Sequence, residues 1–432
     1  MKNIICIFVL FLAARAGAHA QSFQLKVCAE VACNSAPLAN IDFPGIELST
    51  DTVFPGITAN CATYDGIPFG GPYAIAPVKT DDPLNGVNAL DLTRISRHIL
   101  GIHPLGSPYA MIAADVNRSN TITTFDIVES RKLIQGLITA FPSSDSWRFI
   151  DADFVFPDPD NPFQSIIPSI TTITNNTDTL IEVNYKAVKV GDVDCSAIAN
   201  FSAGPDDRRL AALSLPDVAL RSGEYVDLPL LLDDAGQWVA LQFGLSYDPS
   251  LLEIVAVVPG DLLKEDALAI AQPRAGVLNV VWFDAIPGNT GSSERLLTLR
   301  IRALAPVQLS AAISLDVKSI LPAIFTANEE AVRLQLHFAS DQAAPGAGAG
   351  IQAPLPNPTA GGVSIPVRIS DLETVSVEIV DISGKTLWVK QIALESGTHE
   401  IGVPAQAFPE AGLYLWRATA GEMHASGKII RY

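Results

Sequence analysis

Basic residues are scarce in this chain of 432 residues: 28 lysines and arginines stand against 46 aspartates and glutamates, giving a formal net charge of −18. Nucleic-acid binding needs a basic surface, so this balance excludes nucleic acid as an expected partner. The acidity suits solubility and the binding of divalent cations. Apolar residues make up 48% of the chain and the mean hydropathy is +0.29, which is enough for several cores, and the length allows two to four domains.

Sequence signatures of catalysis are also missing. The chain has no G-x-S-x-G, no H-E-x-x-H and no phosphate-binding loop, and its six histidines are scattered. Acidic pairs are plentiful, but a glycosidase needs a large scaffold with a cleft, and the segments recognisable here are small. We therefore expect that the protein is not an enzyme.

Long apolar runs are confined to the start of the chain. Lys2 gives a positive start, residues 4–14 are apolar, and Ala18-His19-Ala20 forms a cleavage pattern. Residues 1–20 are therefore predicted to be a secretory signal peptide. No later run is long enough to span a bilayer as a helix, so we expect no transmembrane span.

Cysteine is nearly absent from the rest of the chain. The exported protein would keep Cys28, Cys33, Cys61 and Cys195. Export favours disulfides, but four cysteines allow three pairings, and Cys28–Cys33 is attractive only because it is local. A zinc site is not expected, since no histidine accompanies these cysteines at ligand spacing.

Two loop-plus-helix units in tandem, over residues 80–137, are the feature around which the chain is organised. In the second unit, alternate loop positions carry oxygen-bearing residues that can converge on one cation, and Ca²⁺ prefers six to eight oxygens. At loop positions 1, 3, 5, 7, 9 and 12 these predicted ligands are Asp115, Asn117, Ser119, Thr121, Thr123 and Asp126. Asn120 stands where the loop requires a positive φ. A helix is predicted to follow and to stop near Gly136.

The first unit repeats the second less completely. An offset of 35 residues (126 − 91) aligns Asp91 with Asp126. Thr80 and Leu84 replace ligands at positions 1 and 5, so we expect weaker calcium binding here. The predicted ligands are Asp82, Asn88 and Asp91. The alternative interpretation is that these Asn and Asp residues cap a helix without a metal.

Duplicated loops of the form D-x-N-x-S-x-T-x-T-x-x-D, each followed by one short helix, resemble type I dockerin modules. The resemblance implies calcium as the cofactor and a protein partner that is contacted through the helices. The candidate contact residues on those helices are Arg94, Arg97, Arg131 and Lys132.

Short strand-like segments separated by turns dominate residues 205–340 and predict an antiparallel β-sandwich. They cover residues 225–232, 239–247, 252–258, 277–283, 296–303 and 312–317. The strand–turn–strand pattern at 241–252, with residues 259–262 and 279–283, resembles cohesin domains. Cohesins share a jelly-roll sandwich with some carbohydrate-binding modules, so Trp238 and Trp282 are candidates for either core packing or sugar stacking.

Two further segments flank the loop–helix units. Residues 21–79 are rich in glycine, proline and β-forming residues and resemble transthyretin-like or carboxypeptidase-regulatory-like sandwiches; the alternative is a few strands packed on the calcium module. Residues 140–200 are predicted to pack against the calcium module. They include Gly191-Asp192-Val193-Asp194, which looks like the opening of a calcium loop. No loop follows, so we expect a strand end there.

The end of the chain has a distinct composition. Residues 341–353 are rich in alanine and glycine and predict a flexible linker. The patterns at 356–359, 381–385, 412–416 and 427–430 resemble the type A C-terminal sorting domain of the Bacteroidota type IX secretion system. This resemblance implies export across the outer membrane, with the type IX machinery as a partner. Lys385 and Lys428 follow glycines and are predicted to lie exposed in turns.

These patterns predict a mostly β, multidomain fold: β-sandwich modules plus a small α-helical calcium-loop module of the dockerin-like, EF-hand type. The predicted segments are 1–20, 21–79, 80–200, 205–340, 341–353 and 354–432. The predicted function is a secreted, calcium-stabilised, non-catalytic surface protein for adhesion or assembly, placed on the outer face of the outer membrane after periplasmic passage. The alternative is a carbohydrate-binding accessory protein in polysaccharide utilisation, with cell-surface polysaccharide as its partner.

Overall fold

A computed structural model describes most of the chain. The described residues are 22–48, 52–54, 56, 58–174, 178–199, 208–234, 236–260, 263, 267–290, 294–339, 350–351, 353–354, 357, 359–369, 371–395, 397–421 and 423–432. The predicted signal peptide and most of the predicted linker lie outside these residues. The mostly β, multidomain fold class with a small helical module is confirmed.

Helices are few and short. They are α1 (Ala89–Ile99), α2 (Pro108–Ala114), α3 (Thr124–Ile134) and α4 (Leu309–Ala312), with 3-10 turns at Pro162–Gln164 and Ala405–Ala407. The helix that follows each predicted loop is present as α1 and α3. Gly136 follows α3 with a φ of 70°, as expected for a glycine just beyond a helix end. Among the described residues, no helix is long and apolar enough to cross a membrane.

The chain divides into two compact units. The first is built from residues 1–87, 104–126 and 140–204, and the second from residues 88–103, 127–139 and 205–432. The helical residues that follow each predicted loop therefore belong to the second unit, together with the 205–340 sandwich.

The first unit is built on two four-stranded sheets. Its strands are β1 (Ser22–Val31), β2 (Ile41–Asp42), β3 (Gly45–Glu47), β4 (Thr52–Phe54), β5 (Thr58–Ala59), β6 (Cys61–Pro68), β7 (Tyr73–Ile75), β8 (Trp147–Asp151), β9 (Thr171–Ile173) and β10 (Leu180–Lys189). The sheets have the orders β6-β1-β10-β8 and β4-β3-β7-β9, and β2 pairs with β5. Alternate residues of β1 are buried, as expected of a strand with one face on a core.

Strand pairing joins the two ends of this unit. β1 runs parallel to β10, with Val27 opposite Val183, so segments 21–79 and 140–200 share one sheet. Two disulfides tie it further: Cys28–Cys61 joins paired residues of β1 and β6, and Cys33 bonds to Cys195. The local Cys28–Cys33 pairing is therefore not the one formed. Strand pairing can bring cysteines that are distant in the sequence close together. A short separation between two cysteines therefore does not predict that they form the disulfide.

The sandwich of the second unit is a single ten-stranded sheet. Its strands, with one short additional pair, are β11 (Leu210–Pro216), β12 (Ala219–Leu220), β13 (Tyr225–Asp233), β14 (Gly236–Tyr247), β15 (Leu252–Pro259), β16 (Leu268–Ala271), β17 (Val277–Thr290), β18 (Glu294–Ala303), β19 (Val307–Gln308), β20 (Ile313–Leu315), β21 (Ala323–Thr326) and β22 (Ala331–Ala339). The sheet order is β15-β18-β13-β11-β22-β21-β14-β17-β16, β20 pairs with β14, and β12 pairs with β19. All pairs are antiparallel except β11 with β22, which is parallel and corrects the all-antiparallel expectation.

The core of the sandwich is formed by the inward-facing residues of these strands. Phe243, Leu241 and Leu299 are fully buried in it, and Trp238 and Trp282 are 1% and 3% exposed. Neither indole ring is available as a surface stacking platform. The core interpretation of both tryptophans is therefore correct.

The last segment forms two small sheets. Its strands are β23 (Gly350–Ile351), β24 (Val363–Ile369), β25 (Glu373–Val380), β26 (Thr386–Leu394), β27 (Gly397–Val403), β28 (Gly412–Ala420) and β29 (Met423–Arg431). Their orders are β23-β24-β27 and β26-β25-β28-β29, around a separate core that includes Phe408 and Trp416. Lys385 lies in an exposed turn, but Lys428 lies within β29, because the glycine before it continues the strand.

Candidate metal centre and interaction surface

The second predicted calcium loop, residues 115–126, follows α2, belongs to the first unit and includes the first turn of α3. Asp115 caps the C-terminus of α2 and Asp126 lies in the first turn of α3. Both carboxylates point back into the loop. Asp115 accepts hydrogen bonds from the backbone N–H groups of Ser119 (2.8 Å) and Asn120 (3.1 Å), and Asp126 accepts one from Thr123 (2.8 Å). The acidic residues at the two ends of the loop thus hold its backbone through hydrogen bonds.

The remaining predicted ligands join the same network. Asn117 Oδ1 accepts from the Ser119 backbone N–H at 2.9 Å, and Ser119 Oγ donates to the Thr121 carbonyl at 3.0 Å. Thr123 Oγ1 donates to Asp126 Oδ2 at 3.2 Å. The structure therefore brings the predicted residues of this loop together. Asn120, at the sixth loop position, has a φ of 60°, as expected from the sequence.

The charge and burial of this loop fit a divalent cation. Asp115 and Asp126 are both 0% exposed, and burial raises the pKa of Asp115. Arg148 Nη1 is 3.9 Å from Asp115 Oδ2, beyond hydrogen-bonding distance. Two buried carboxylates flanked by hydroxyl, amide and carbonyl oxygens form the all-oxygen donor set that Ca²⁺ prefers. The residues present therefore suit a calcium ion.

The first predicted loop is organised differently. Asn88 Oδ1 accepts from the Leu90 backbone N–H, and Asp91 Oδ2 accepts from the Asn88 backbone N–H, both at 2.8 Å. These reciprocal bonds form a capping box at the start of α1, the arrangement foreseen by the helix-capping interpretation. Asp82 belongs to the first unit, where its φ is 47° and its carbonyl accepts from the Asn85 N–H.

Asp192 and Asp194 follow β10, in agreement with the strand end expected there. Asp192 is 8% exposed and accepts from the backbone N–H groups of Ser196 (3.1 Å) and Ala197 (3.0 Å). Burial, followed by the neighbouring Asp194 carboxyl, raises the pKa of Asp192 to about 7. Ser196 Oγ donates to the Gly86 carbonyl, so this segment packs beside the first loop.

The predicted contact residues fall into two groups. Arg94 and Arg97 of α1 both bind Glu329, which lies in the turn between β21 and β22: Arg94 Nε to Oε2 at 2.9 Å and Arg97 Nη1 to Oε1 at 2.7 Å. Arg131 and Lys132 of α3 form no ion pair within the described part of the chain. The structure therefore places Arg94 and Arg97 in a contact of the second unit, whereas Lys132 is exposed and Arg131 is half-buried.

Two sandwich residues that sequence reasoning missed also bind the helical segments. Gln242 Oε1 accepts from the Ala89 backbone N–H at 2.8 Å, and Asn279 Nδ2 donates to the Gln135 carbonyl at 3.0 Å. Both amides are buried, at 3% and 0% exposure. The signal was available: each is a polar residue between apolar neighbours in a strand, where an unpaired amide would be costly.

Comparison with known families agrees with this organisation. A dockerin type I domain model matches residues 85–134, a cohesin domain model matches residues 211–319, and a secretion system C-terminal sorting domain model matches residues 355–431. The chain combines a dockerin-like, a cohesin-like and a sorting-domain-like segment. No curated protein shows significant similarity to it.

Solved structures similar to this chain include several cohesins. The sixth cohesin of scaffoldin B from Acetivibrio cellulolyticus, in complex with a Cel5 dockerin variant, is 19% identical over 29% of this chain and 94% of its own, with a TM-score of 0.25. The seventh ScaB type I cohesin from Pseudobacteroides cellulosolvens is 12% identical over 31% and 96%, with a TM-score of 0.26. CaCohA2 from Clostridium acetobutylicum is 15% identical over 32% and 94%, with a TM-score of 0.24.

The combination of segments defines a broad role. Cohesin and dockerin domains are non-catalytic interaction modules, and a sorting domain directs export. A secreted, modular protein with a role in protein–protein interaction is the function that this domain content supports.

Proposed function

We propose that this protein is a calcium-stabilised, non-catalytic surface protein that mediates adhesion or assembly through its dockerin-like and cohesin-like segments. The presence of both segment types in one exported chain supports this role. A protein partner, rather than polysaccharide, is favoured because Trp238 and Trp282 are buried in the core.

The observation that carries the calcium part is the loop from Asp115 to Asp126. Its two carboxylates are wholly buried within one short loop, with the Arg148 guanidinium 3.9 Å from Asp115, and burying two carboxylates is costly unless enough positive charge lies close to them. A bound Ca²⁺ would supply the positive charge that compensates them. We assign the ion to Asp115, Asn117, Ser119, Thr121, Thr123 and Asp126.

A second, weaker site is proposed at the first loop, with Asp82, Asn88 and Asp91 as its residues. The capping box already engages Asn88 and Asp91, so ion binding there would compete with helix capping. This competition, together with Thr80 and Leu84 at two ligand positions, supports a lower affinity than at the second loop.

Export is proposed to proceed in two stages. The signal peptide would take the chain to the periplasm, and residues 354–432 would then engage the type IX machinery and deliver the protein to the outer face of the outer membrane. The exposed turn at Lys385 is a candidate recognition point within this segment. Within the predicted linker at 341–353, residues 350–351 form β23 and pair with β24 of the last segment, so the part before them would separate this segment from the sandwich and provide a junction for its removal.

Capture of surface proteins from the source organism tests the assembly role. The purified exported chain is immobilised and incubated with the surface fraction in calcium or in chelator, and bound proteins are identified by mass spectrometry. We expect one or a few proteins to bind in calcium and to be lost in chelator. An Asp115→Asn/Asp126→Asn variant should lose the same proteins, whereas an Asp153→Asn variant, altered at an exposed acid, should retain them. Equal recovery with the chelator or with the double variant would contradict the proposal.

A further inference from the structure

One face of the sandwich carries polar groups matched to helix ends. Gln242 on β14 and Asn279 on β17 are on neighbouring paired strands, since Gly244, two residues beyond Gln242, is opposite Asn279. Leu241, Phe243, Leu278 and Val280, which flank these amides in sequence, are all 0% exposed. The Gln242 amide is oriented by its own donor bond to the Leu321 carbonyl, at 2.9 Å, which leaves Oε1 to accept from the helix.

The two amides complete the hydrogen bonding of helix termini. The first N–H groups and the last carbonyls of an α-helix lack partners within the helix. Gln242 satisfies the Ala89 N–H at the start of α1, and Asn279 satisfies the Gln135 carbonyl just after α3. The face therefore pairs with backbone groups that have no partner within their own helix.

Two further contacts use a break in the strand register. Val239 lies where the pairing of β14 with both β17 and β21 shifts, and its carbonyl accepts from Thr93 Oγ1 at 3.0 Å. The Ala285 carbonyl of β17 accepts from Arg97 Nε at 2.9 Å. Sheet carbonyls at such irregularities are directed away from the regular ladder, which makes them available to the helix.

Charge pairing fixes the position of α1 on this face. The side chains of Arg94, Arg97 and Glu329 are 31%, 13% and 26% exposed, so the ionic contact is largely shielded from solvent. Shielded pairs with charged hydrogen bonds discriminate between partners more strongly than exposed ones. The corresponding residue of α3, 35 positions after Arg97, is Lys132, which is exposed.

We propose that residues 88–103 and 127–139 act as an internal ligand that closes this face of the cohesin-like sandwich. The face is competent to bind the same helical residues from a second copy of the chain, but only after its own helices leave. The protein is therefore self-capped as a monomer. This inference goes beyond the proposed assembly role, because it states that the protein's own helices cover one face of the sandwich. It requires neither a bound calcium ion nor an external partner.

Charge reversal in the full exported chain tests the proposal. Variant A carries Arg94→Glu and Arg97→Glu, variant B carries Glu329→Arg, and variant C carries all three changes. Like charges meet within A and within B, so hydrogen exchange of residues 88–103 should accelerate by about tenfold, whereas opposite charges meet again in C and should restore protection. A mixture of A and B should form a 1:1 complex in sedimentation, because the acidic helices of A match the basic turn of B.

A matched control makes the same kind of charge change at an exposed lysine of the sandwich that lies outside both helical segments. Lys318→Glu should leave exchange in residues 88–103 unchanged. Calcium is held constant throughout, and only purified protein is used, so failure of the surface-capture experiment would not alter these results. The proposal is overturned by unchanged exchange in A and B, by the absence of the mixed complex, or by wild-type protection that increases with protein concentration. Recovery in C shows that losses in A and B do not come from misfolding.

Discussion

The carboxylates of Asp115 and Asp126 are both wholly buried, and both accept hydrogen bonds from backbone amides of the loop that separates them. Because the backbone satisfies part of their hydrogen-bonding capacity, the loop can keep its shape before an ion arrives. These hydrogen bonds do not neutralise the negative charge of the two carboxylates. Ion binding should therefore act mainly on stability, which leads to the first prediction.

Calcium should raise the thermal stability of the first unit. A site with a micromolar dissociation constant would add about 4 kcal/mol at millimolar calcium. We expect Asp126→Asn to remove most of the calcium-dependent increase in melting temperature and Asp82→Asn to remove less, measured by differential scanning calorimetry with calcium and with chelator. Asp153→Asn is the matched control and should keep the full increase. A wild-type melting temperature that does not respond to the chelator would show that the loop holds no ion.

Acidification should stabilise the first unit through Asp192. Its folded pKa of about 7 lies above the unfolded value, so the folded state takes up the proton first. The free energy of unfolding should rise as pH falls from about 7 to about 4, by at most about 1.4 kcal/mol per pH unit, and the gain ends where the unfolded carboxyl is protonated too. Urea titrations in chelator, read by pulsed hydrogen exchange at one common pH, measure this slope. Asp192→Asn should flatten it, and an equal slope in both proteins would contradict the assignment.

The exported protein should carry no free thiol, because the four cysteines form Cys28–Cys61 and Cys33–Cys195. Thiol labelling of the unfolded, unreduced protein checks this, and labelling at two or more sites would contradict it. Replacing Cys33 and Cys195 together by serine should lower the free energy of unfolding by about 2–5 kcal/mol, since this bond spans 162 residues of sequence. The double replacement of Cys28 and Cys61, 33 residues apart, is the comparison and should cost less.

Deleting residues 354–432 should leave a folded protein in the periplasm. This segment has its own core, so its loss should not unfold the sandwich. Cell fractionation with an antibody against the sandwich locates the truncated chain. A reporter with the signal peptide alone should remain periplasmic, whereas the same reporter fused to 354–432 should reach the surface or the medium. Surface delivery of the truncated chain would show that this segment is not required for export and is an ordinary structural domain.

The sequence predicted best where local rules decide the structure. The alternating polar residues from Asp115 to Asp126 predicted a loop, and Gly136 predicted the end of a helix. Both predictions were possible because loop and cap geometry depend on a few neighbouring residues. The strands of the sandwich were recognisable from their turns. The broad fold class follows from such signals and needs no knowledge of distant contacts.

What the sequence did not reveal depends on pairing between distant residues. The parallel pairing of β1 with β10, and hence the disulfide of Cys33 with Cys195, has no local signature. Neither Gln242 nor Asn279 looks functional in its own strand until a helix end is placed against it. Glu329 lies in a turn with a φ of 66° and could be assigned to Arg94 and Arg97 only from the fold.

The bond between Cys33 and Cys195 has a consequence for proteolysis. The whole dockerin-like segment, residues 85–134, lies between these two cysteines in the sequence. A protease that cuts the backbone once anywhere in that segment produces two fragments that remain one covalent molecule. The nicked protein would run at full size on a non-reducing gel and separate only when a reductant is added.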